Sequence, residues 1–373
     1  MTKNRSVFST WGVGLVSRRA AIAALAWALC ISTVGADDSS PRALAEAGHW
    51  KQLRVLSEQV LAANPNDAES AYLMSRVDLA FGDLEAAVAL AEKAVSLDDR
   101  NAAYHLQLAL VSGTMASKAG MFRAFKLGGR YKAEIQRAIE LDDKHADARV
   151  EFMYFYWNAP RIAGGDKNKA RALANDILRV DPAQGYLAQT WIAERENGQD
   201  TAKLEGLYQQ AILANPGDYQ VRVRVARFYA SDSVKKYDQA ILQAREALKL
   251  DRRRSDAYAL LAKIYSVRQA WQELDTVLRE AERWNPDDLS PFYEAGRSLL
   301  QANSDLPRAE SYFRKYLTQD PEAHKPDWAA AHRNLGLVLE KLGRRAEAVV
   351  ELETAVRLRP NYEDARKDLK RLW

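Results

Sequence analysis

A helix–turn–helix pattern that recurs about every 34 residues is the feature that most constrains this chain. Its clearest copy runs from Trp328 to Pro360, where apolar and small residues at helical spacing fill two segments on either side of Gly343. Gly343 can take a backbone conformation that ends the first helix without a Cβ clash, and Pro360 cannot continue the second helix. Gly336 and Ala348 are small, so two helices can cross closely there. The copy therefore predicts a pair of antiparallel helices.

The order of Leu335, Gly336, Ala348, Leu352 and Pro360 resembles the tetratricopeptide repeat. Other copies close at Pro182, Pro216, Arg252, Pro286 and Pro321. We predict an all-α fold, an α-solenoid of about nine tetratricopeptide repeats over residues 37–373, with a capping helix at 361–373. The resemblance implies a non-enzymatic scaffold whose concave groove binds a partner peptide or subunit.

The composition fits a large folded core, since 47% of the 373 residues are apolar and 28% are charged. Stacked repeats share one continuous core, so length alone does not indicate separate domains.

Residues 1–36 have the pattern of an export signal peptide. Four cations precede or open the apolar run Ala20–Val34, and small residues allow cleavage between Ala36 and Asp37. We predict an exported, periplasmic protein, with secretion or attachment to the envelope as alternatives. An uncleaved anchor helix is the other interpretation, although the run is short for a membrane span. The segment Ser17–Ile22 partly resembles a twin-arginine signal, so the sequence leaves the export route open.

Removal of this segment changes the charge and cysteine content of the chain. The four cations of residues 1–36 have no acidic counterpart, so the formal net charge falls from +4 to 0. A neutral chain has no overall attraction for nucleic acid or anionic membranes. Cys30 is the one cysteine and lies in the removed segment, behind Leu29, which is too large for a lipoprotein signal. The mature chain is therefore predicted to form no disulfide and no thiolate metal site.

Residues 101–182 are atypical repeats with insertions. About ten extra residues lie around Ala119–Gly129, and Ala159–Asp166 lengthens a turn by five. The insertion, the run YKAEIQRAIELD and the later IAGGDK resemble the T-component proteins of tripartite ATP-independent periplasmic transporters. That resemblance implies an accessory subunit that associates with the solute-binding component. This chain differs in having more repeats and no lipidation cysteine.

In each repeat, one position of the first helix is predicted to face the concave groove. At this position, the ninth residue of the helix, three successive repeats carry Arg227, Lys263 and Arg297. Arg333 and Lys341 of the last repeat extend this row of cations. Cations held about 10 Å apart would form a basic groove for an acidic or carboxylate-bearing segment. The alternative is a solvated helix face whose cations are neutralised by neighbours such as Glu340.

Two further features suggest contact with other molecules. Tyr154 and Trp157 are predicted to reach the concave side and contact a ligand, whereas core packing explains most of the aromatic run around them. The segment Lys118–Leu127 mixes cations with large apolar residues. It is predicted either to contact lipid headgroups or a partner, or simply to lengthen a helix that packs against the next repeat.

The sequence contains little that suggests catalysis, a cofactor or a bound metal ion. The five histidines are scattered over different repeats, and no paired-histidine zinc motif or serine nucleophile motif is present. Carboxylate pairs such as Asp142-Asp143 and Asp287-Asp288 stand at helix ends, where capping explains them.

Overall fold

The computed structural model describes residues 40–198, 200–323 and 326–373, and this part of the chain contains helices and no strands. The predicted signal segment, with its Ala36–Asp37 cleavage site, lies outside the described residues. None of the described helices is both long enough and apolar enough to cross a membrane.

Nine helix pairs follow one another, and a single helix ends the described chain, as the repeat spacing predicts. The pairs are α1 (Pro41–Ala47) and α2 (Trp50–Ala63), α3 (Ala68–Phe81) and α4 (Leu84–Leu97), α5 (Ala102–Lys118) and α6 (Met121–Leu141), α7 (Ala146–Asn158) and α8 (Lys167–Val180), α9 (Pro182–Asn197) and α10 (Thr201–Ala214), α11 (Tyr219–Tyr229) and α12 (Tyr237–Leu250), α13 (Ser255–Val267) and α14 (Trp271–Trp284), α15 (Ser290–Ala302) and α16 (Leu306–Tyr316), and α17 (Trp328–Lys341) and α18 (Arg345–Leu358), followed by α19 (Glu363–Leu372). A 3-10 turn, Arg161–Ala163, joins α7 to α8.

Aspartates start many of these helices, which explains the carboxylates at the repeat boundaries. Asp67 accepts a hydrogen bond from the Ser70 N–H at 2.7 Å, and Asp166 accepts from the N–H groups of Asn168 and Lys169 at 2.9 and 3.2 Å. Each carboxylate satisfies N–H groups that have no partner inside the helix.

Small residues allow the two helices of a pair to approach each other. A Cβ atom on Gly336 of α17 would lie 2.9 Å from Leu352 Cγ and 3.2 Å from the Ala348 carbonyl oxygen of α18. Any larger side chain there would push the helices apart.

The first helix pair contacts the eighth across a sequence distance of about 270 residues. Glu322 Oε1 accepts a hydrogen bond from the Lys51 backbone N–H at 2.9 Å, over a separation of 271 positions. Lys51 Nζ donates to the carbonyl oxygens of Asp287 and Asp320, and Gln52 Nε2 lies 2.7 Å from Asp287 Oδ2. We call this contact the seam. It shows that the row of helix pairs curves back on itself until its beginning meets its eighth pair.

Glu322 occupies the N-terminus of α2, where His49 makes no side-chain capping bond. The Glu322 side chain is 2% exposed, and its carboxylate lies 3.6 Å from Lys51 Nζ. A carboxylate at the positive end of a helix dipole is stabilised there, so a residue of the connection that follows the eighth pair completes a helix of the first.

Candidate groove on the first helices

A cavity of about 580 Å³ crosses the first helices of three successive pairs, α11, α13 and α15. It is lined by Arg227, Ala230, Ser231, Asp232, Asp256, Ala259, Leu260, Lys263, Ser290, Glu294 and Pro326. Two of the predicted groove cations, Arg227 and Lys263, therefore come together in one cavity.

A second cavity of about 480 Å³ lies between α9, α10 and α11. Its lining includes Glu194, Arg224, Phe228 and again Arg227. Because Arg227 and Ser231 line both cavities, the two are adjacent. We call them together the groove. It extends over four successive first helices, from α9 to α15.

The groove carries charges of both signs. Arg227 Nη2 lies 2.9 Å from Asp256 Oδ1, and Arg297 Nη2 lies 2.5 Å from Glu294 Oε2. Asp256 and Glu294 both line the larger cavity. Each arginine is thus paired with a carboxylate from the first helices of the repeats. This is the arrangement expected if neighbouring residues neutralise the cations of the groove.

Lys263 differs from the two arginines. Within the described part of the chain, no carboxylate lies within 4.0 Å of its ammonium group, although it is only partly exposed in the cavity wall. A cation without an internal counter-ion is the natural contact for a carboxylate supplied by a ligand.

Arg333 and Lys341, at the end of the predicted row of cations, lie outside the two cavities. Arg333 Nε is 2.7 Å from Asp368 Oδ2, so this arginine joins α17 to the capping helix α19. Its guanidinium also lies 5.6 Å from the ring centroid of Tyr362. Lys341 is exposed at the last turn of α17. Neither side chain lines the two cavities, so the structure brings together Arg227 and Lys263, with Arg297 beside Glu294.

The predicted aromatic pair contacts a third aromatic residue of the next repeat. The ring centroids of Tyr154 and Trp191 are 4.6 Å apart, and those of Trp157 and Trp191 are 5.8 Å apart. The Arg195 guanidinium lies 3.5 Å from the centroid of Trp191. Burial raises the pKa of Tyr154, and the positive charge of Arg224 partly opposes this shift. These half-buried rings link α7 to α9, and neither Tyr154 nor Trp157 is among the residues that line the two cavities.

Several cavity-lining residues lie outside the single position per helix that the repeat pattern predicted for the groove. Arg224 lies three residues before Arg227 and shares its helix face, so the i, i+3 spacing could have indicated it. Glu294 lies three residues before Arg297 on α15, so the same i, i+3 spacing could have indicated it. Asp256 has no such signal, because its closeness to Arg227 depends on how one repeat packs against the next.

The insertion around Ala119–Gly129 is not a loop between helices. Its residues form the first turns of α6, which is 21 residues long. Helix-forming residues on both sides of Gly128 and Gly129 allow the helix to continue through them.

The histidines of the described chain lie in separate places. His105 Nδ1 is 2.7 Å from Glu134 Oε2, and His332 Nδ1 is 2.6 Å from Glu351 Oε2. Both contacts join the two helices of one pair. Among the described residues no three potential metal ligands are grouped together.

Comparison with known proteins agrees with the repeat pattern. Residues 329–362 match the tetratricopeptide repeat family model. The chain matches no curated protein. The match to the repeat model does not extend into residues 101–182, so the transporter resemblance rests on the sequence motifs alone.

Solved structures with a similar arrangement include three proteins of low sequence identity. Yeast Tom70 is 14% identical, with 89% of this chain and 79% of that chain covered and a TM-score of 0.46. Human IFIT1 is 14% identical, with 91% and 86% covered and a TM-score of 0.43. PilF of Pseudomonas aeruginosa is 16% identical, with 61% and 98% covered and a TM-score of 0.41. The residues that match the tetratricopeptide repeat model, 329–362, coincide with the last of the nine helix pairs in the described chain.

Proposed function

We propose that the chain is a non-enzymatic protein-interaction scaffold whose groove binds a carboxylate-bearing segment of a partner protein. The observation that carries this proposal is the placement of Arg227 and Lys263, from successive repeats, in the wall of one cavity. A stacked-helix scaffold loses little conformational freedom on binding, so it can hold a partner segment at low entropic cost.

The ion pairs in the groove do not prevent such binding. The Arg227 side chain is 54% exposed where it meets Asp256, and exposed pairs of this kind contribute at most about 1 kcal/mol. A carboxylate of the partner can therefore replace Asp256 at small cost, while Lys263 offers a charge that no described carboxylate already satisfies. The carboxylates of the wall favour a partner segment that also carries amide or ammonium donors next to its acidic residue.

The test begins with affinity capture of the partner from an extract of the native envelope, using residues 37–373 as bait, followed by purification of the captured protein. Its dissociation constant is then measured at low salt against three baits. The groove variant combines Arg227→Ala, Lys263→Ala and Arg297→Ala. The control removes three exposed cations outside the groove, in Lys203→Ala, Arg279→Ala and Arg357→Ala.

We expect the groove variant to bind about tenfold or more weakly and the control to bind like the native chain. Unchanged affinity of the groove variant would exclude the groove as the binding site.

We also propose that the protein acts in the periplasm, a proposal supported by the signal pattern in residues 1–36. N-terminal sequencing of the protein from fractionated cells tests it. A mature protein that begins at Asp37 in the periplasmic fraction is expected, and a full-length chain in the cytoplasm would contradict it.

A further inference from the structure

The pair α5 and α6 extends beyond the other pairs of the solenoid. These helices are 17 and 21 residues long, whereas the second helices of the other pairs have 11 to 14 residues. At 1.5 Å per residue, the extra turns of α6 add roughly 10 Å to the helix. They bring residues 121–129 to the tip of the pair.

One face of this tip is fixed to the neighbouring repeat. Arg123 Nη2 lies 3.1 Å from Glu85 Oε1, and Arg130 Nη1 lies 2.6 Å from Glu92 Oε1. Leu127 packs between these two ion pairs against a small apolar cluster that includes Val111. Positions 123, 127 and 130 share one face of an α-helix, so that face points towards α4 and α5.

The opposite face of the tip is apolar and exposed. Met121 is 80% exposed, Phe122 89% and Phe125 64%. At 100° per residue, Phe125 lies diametrically opposite the centre of the face formed by Arg123, Leu127 and Arg130. The fixed face therefore holds these three side chains outward, where they cannot fold back onto the repeats.

Exposed lysines lie close in sequence to the exposed apolar side chains. Lys118 ends α5 and Lys126 lies on α6, and both are exposed. The 3-10 turn contacts α6 and carries the exposed Arg161 next to Ile162, which is 89% exposed. Single exposed apolar side chains are ordinary on a protein surface, but a group of them at one place often marks contact with a membrane or a protein. Exposed lysines next to such a group are complementary to anionic lipid headgroups.

We propose that the tip of α6, formed by Met121, Phe122 and Phe125 with Lys118 and Lys126, docks on a membrane surface that contains anionic phospholipids. The apolar side chains enter the interface between headgroups and acyl chains, and the lysines contact the phosphates. Docking is peripheral, and it is independent of the groove on the first helices. It would hold the scaffold beside a membrane while the groove remains open to a partner.

The experiment measures co-sedimentation of the purified chain with vesicles of phosphatidylethanolamine and phosphatidylglycerol. Vesicles of phosphatidylcholine serve as the neutral comparison. The tip variant is Met121→Ser, Phe122→Ser and Phe125→Ser. The matched control replaces three exposed apolar side chains on other helices, in Leu213→Ser, Leu242→Ser and Val350→Ser.

We expect the native chain and the control to bind the anionic vesicles and the tip variant to bind at least about tenfold more weakly. Lys118→Gln with Lys126→Gln should reduce binding to anionic vesicles and leave the weak binding to neutral vesicles unchanged. A fluorophore at position 122, attached through Phe122→Cys in a Cys30→Ala background, should show a blue shift when anionic vesicles are added.

Equal vesicle binding by the native chain and the tip variant would overturn the proposal. It would also be overturned if the native chain bound no vesicles and the tip instead bound a purified protein partner. Circular dichroism of the tip variant, whose changes are all at exposed positions, checks that a loss of binding is not a loss of folding.

Discussion

The two halves of the solenoid are built from the same helix pairs but have different cores. In the second half, from α9 to α19, one continuous apolar cluster joins residues from Ala183 to Leu372. The buried apolar residues of the first half lie in five smaller clusters, each confined to two or three neighbouring helices, and one of these clusters reaches Ala188 and Ile192 of α9. Helix pairs of the same kind can therefore be joined by one continuous core or by separate apolar clusters.

Buried polar contacts lie between helices of the first half. Ser75 Oγ donates to the Ala87 carbonyl oxygen at 2.8 Å, and Gln107 Nε2 donates to Ser75 Oγ at 3.1 Å. The Tyr131 hydroxyl lies 2.7 Å from Glu151 Oε2. Polar groups removed from water must be hydrogen-bonded, and these contacts meet that requirement. The first half thus combines short apolar clusters with specific polar contacts.

The seam also connects the two halves, at the N-terminal end of the first half. It places Lys51 and Gln52 of the first pair against residues of the eighth. A loss of structure in the second half can therefore reach the first half by two routes, through α8 and α9 and through the seam.

The largest expected effect comes from truncating the continuous core. Phe313→Ala removes a fully buried ring from the second half and should destabilise it by about 3–5 kcal/mol. Amide hydrogen exchange should rise in several pairs from α11 to α18, because they share one core. The matched variant Leu73→Ala lies in a small cluster, so its effect should stay within α1 to α4. An equally wide spread of exchange in both variants would contradict the difference between the halves.

A smaller effect is expected at the seam. Glu322→Ala leaves the Lys51 N–H without its acceptor and should cost about 1–3 kcal/mol of stability. Hydrogen exchange of the first turn of α2 measures this change, and it should become faster. Glu322→Gln keeps an acceptor oxygen of similar shape, so exchange should stay close to that of the native chain. Unchanged protection in Glu322→Ala would mean that the seam does not hold α2.

The smallest effect concerns pH. Burial, followed by the positive charge of Arg253, lowers the pKa of His49, which lies at the seam. The folded chain therefore holds His49 neutral, and the unfolded chain takes up a proton as the pH falls below about 6.5. This contribution to stability is complete above that pH and is lost below it. Between pH 7.5 and 5.5 the melting temperature of the native chain should fall more than that of His49→Gln.

Other charged groups at the seam also affect the pKa of His49 and the dependence of stability on pH. The carboxylates facing His49 are Asp251, Asp287 and Asp288, and all three act to raise its pKa. Burial raises the pKa of Glu322, and the backbone N–H and ammonium group of Lys51 partly oppose this shift. A melting temperature that changes equally in the native chain and His49→Gln would contradict the assignment to His49.

The repeat period was sufficient to predict most of the fold. The spacing of Gly336, Gly343, Ala348 and Pro360 predicted a helix pair, and its recurrence predicted nine pairs and a last helix. Such local signals work because each helix pair depends on residues close together in the chain, and each pair packs mainly against its neighbours. The segment Lys118–Leu127 was predicted either to contact lipid headgroups or a partner, or to lengthen a helix, and residues from Met121 onwards do lengthen α6.

By itself, the sequence determined the helix pairs, their caps and the small residues at their crossings, since all of these depend on neighbours within about 34 residues. Only the tertiary structure decided that Asp256 accompanies Arg227, which face of α6 remains exposed and that Glu322 caps α2. These contacts depend on the angle between successive pairs, which adds up along the chain. A small angle repeated from pair to pair brings residues 271 positions apart into contact. No local sequence pattern predicts this accumulated angle.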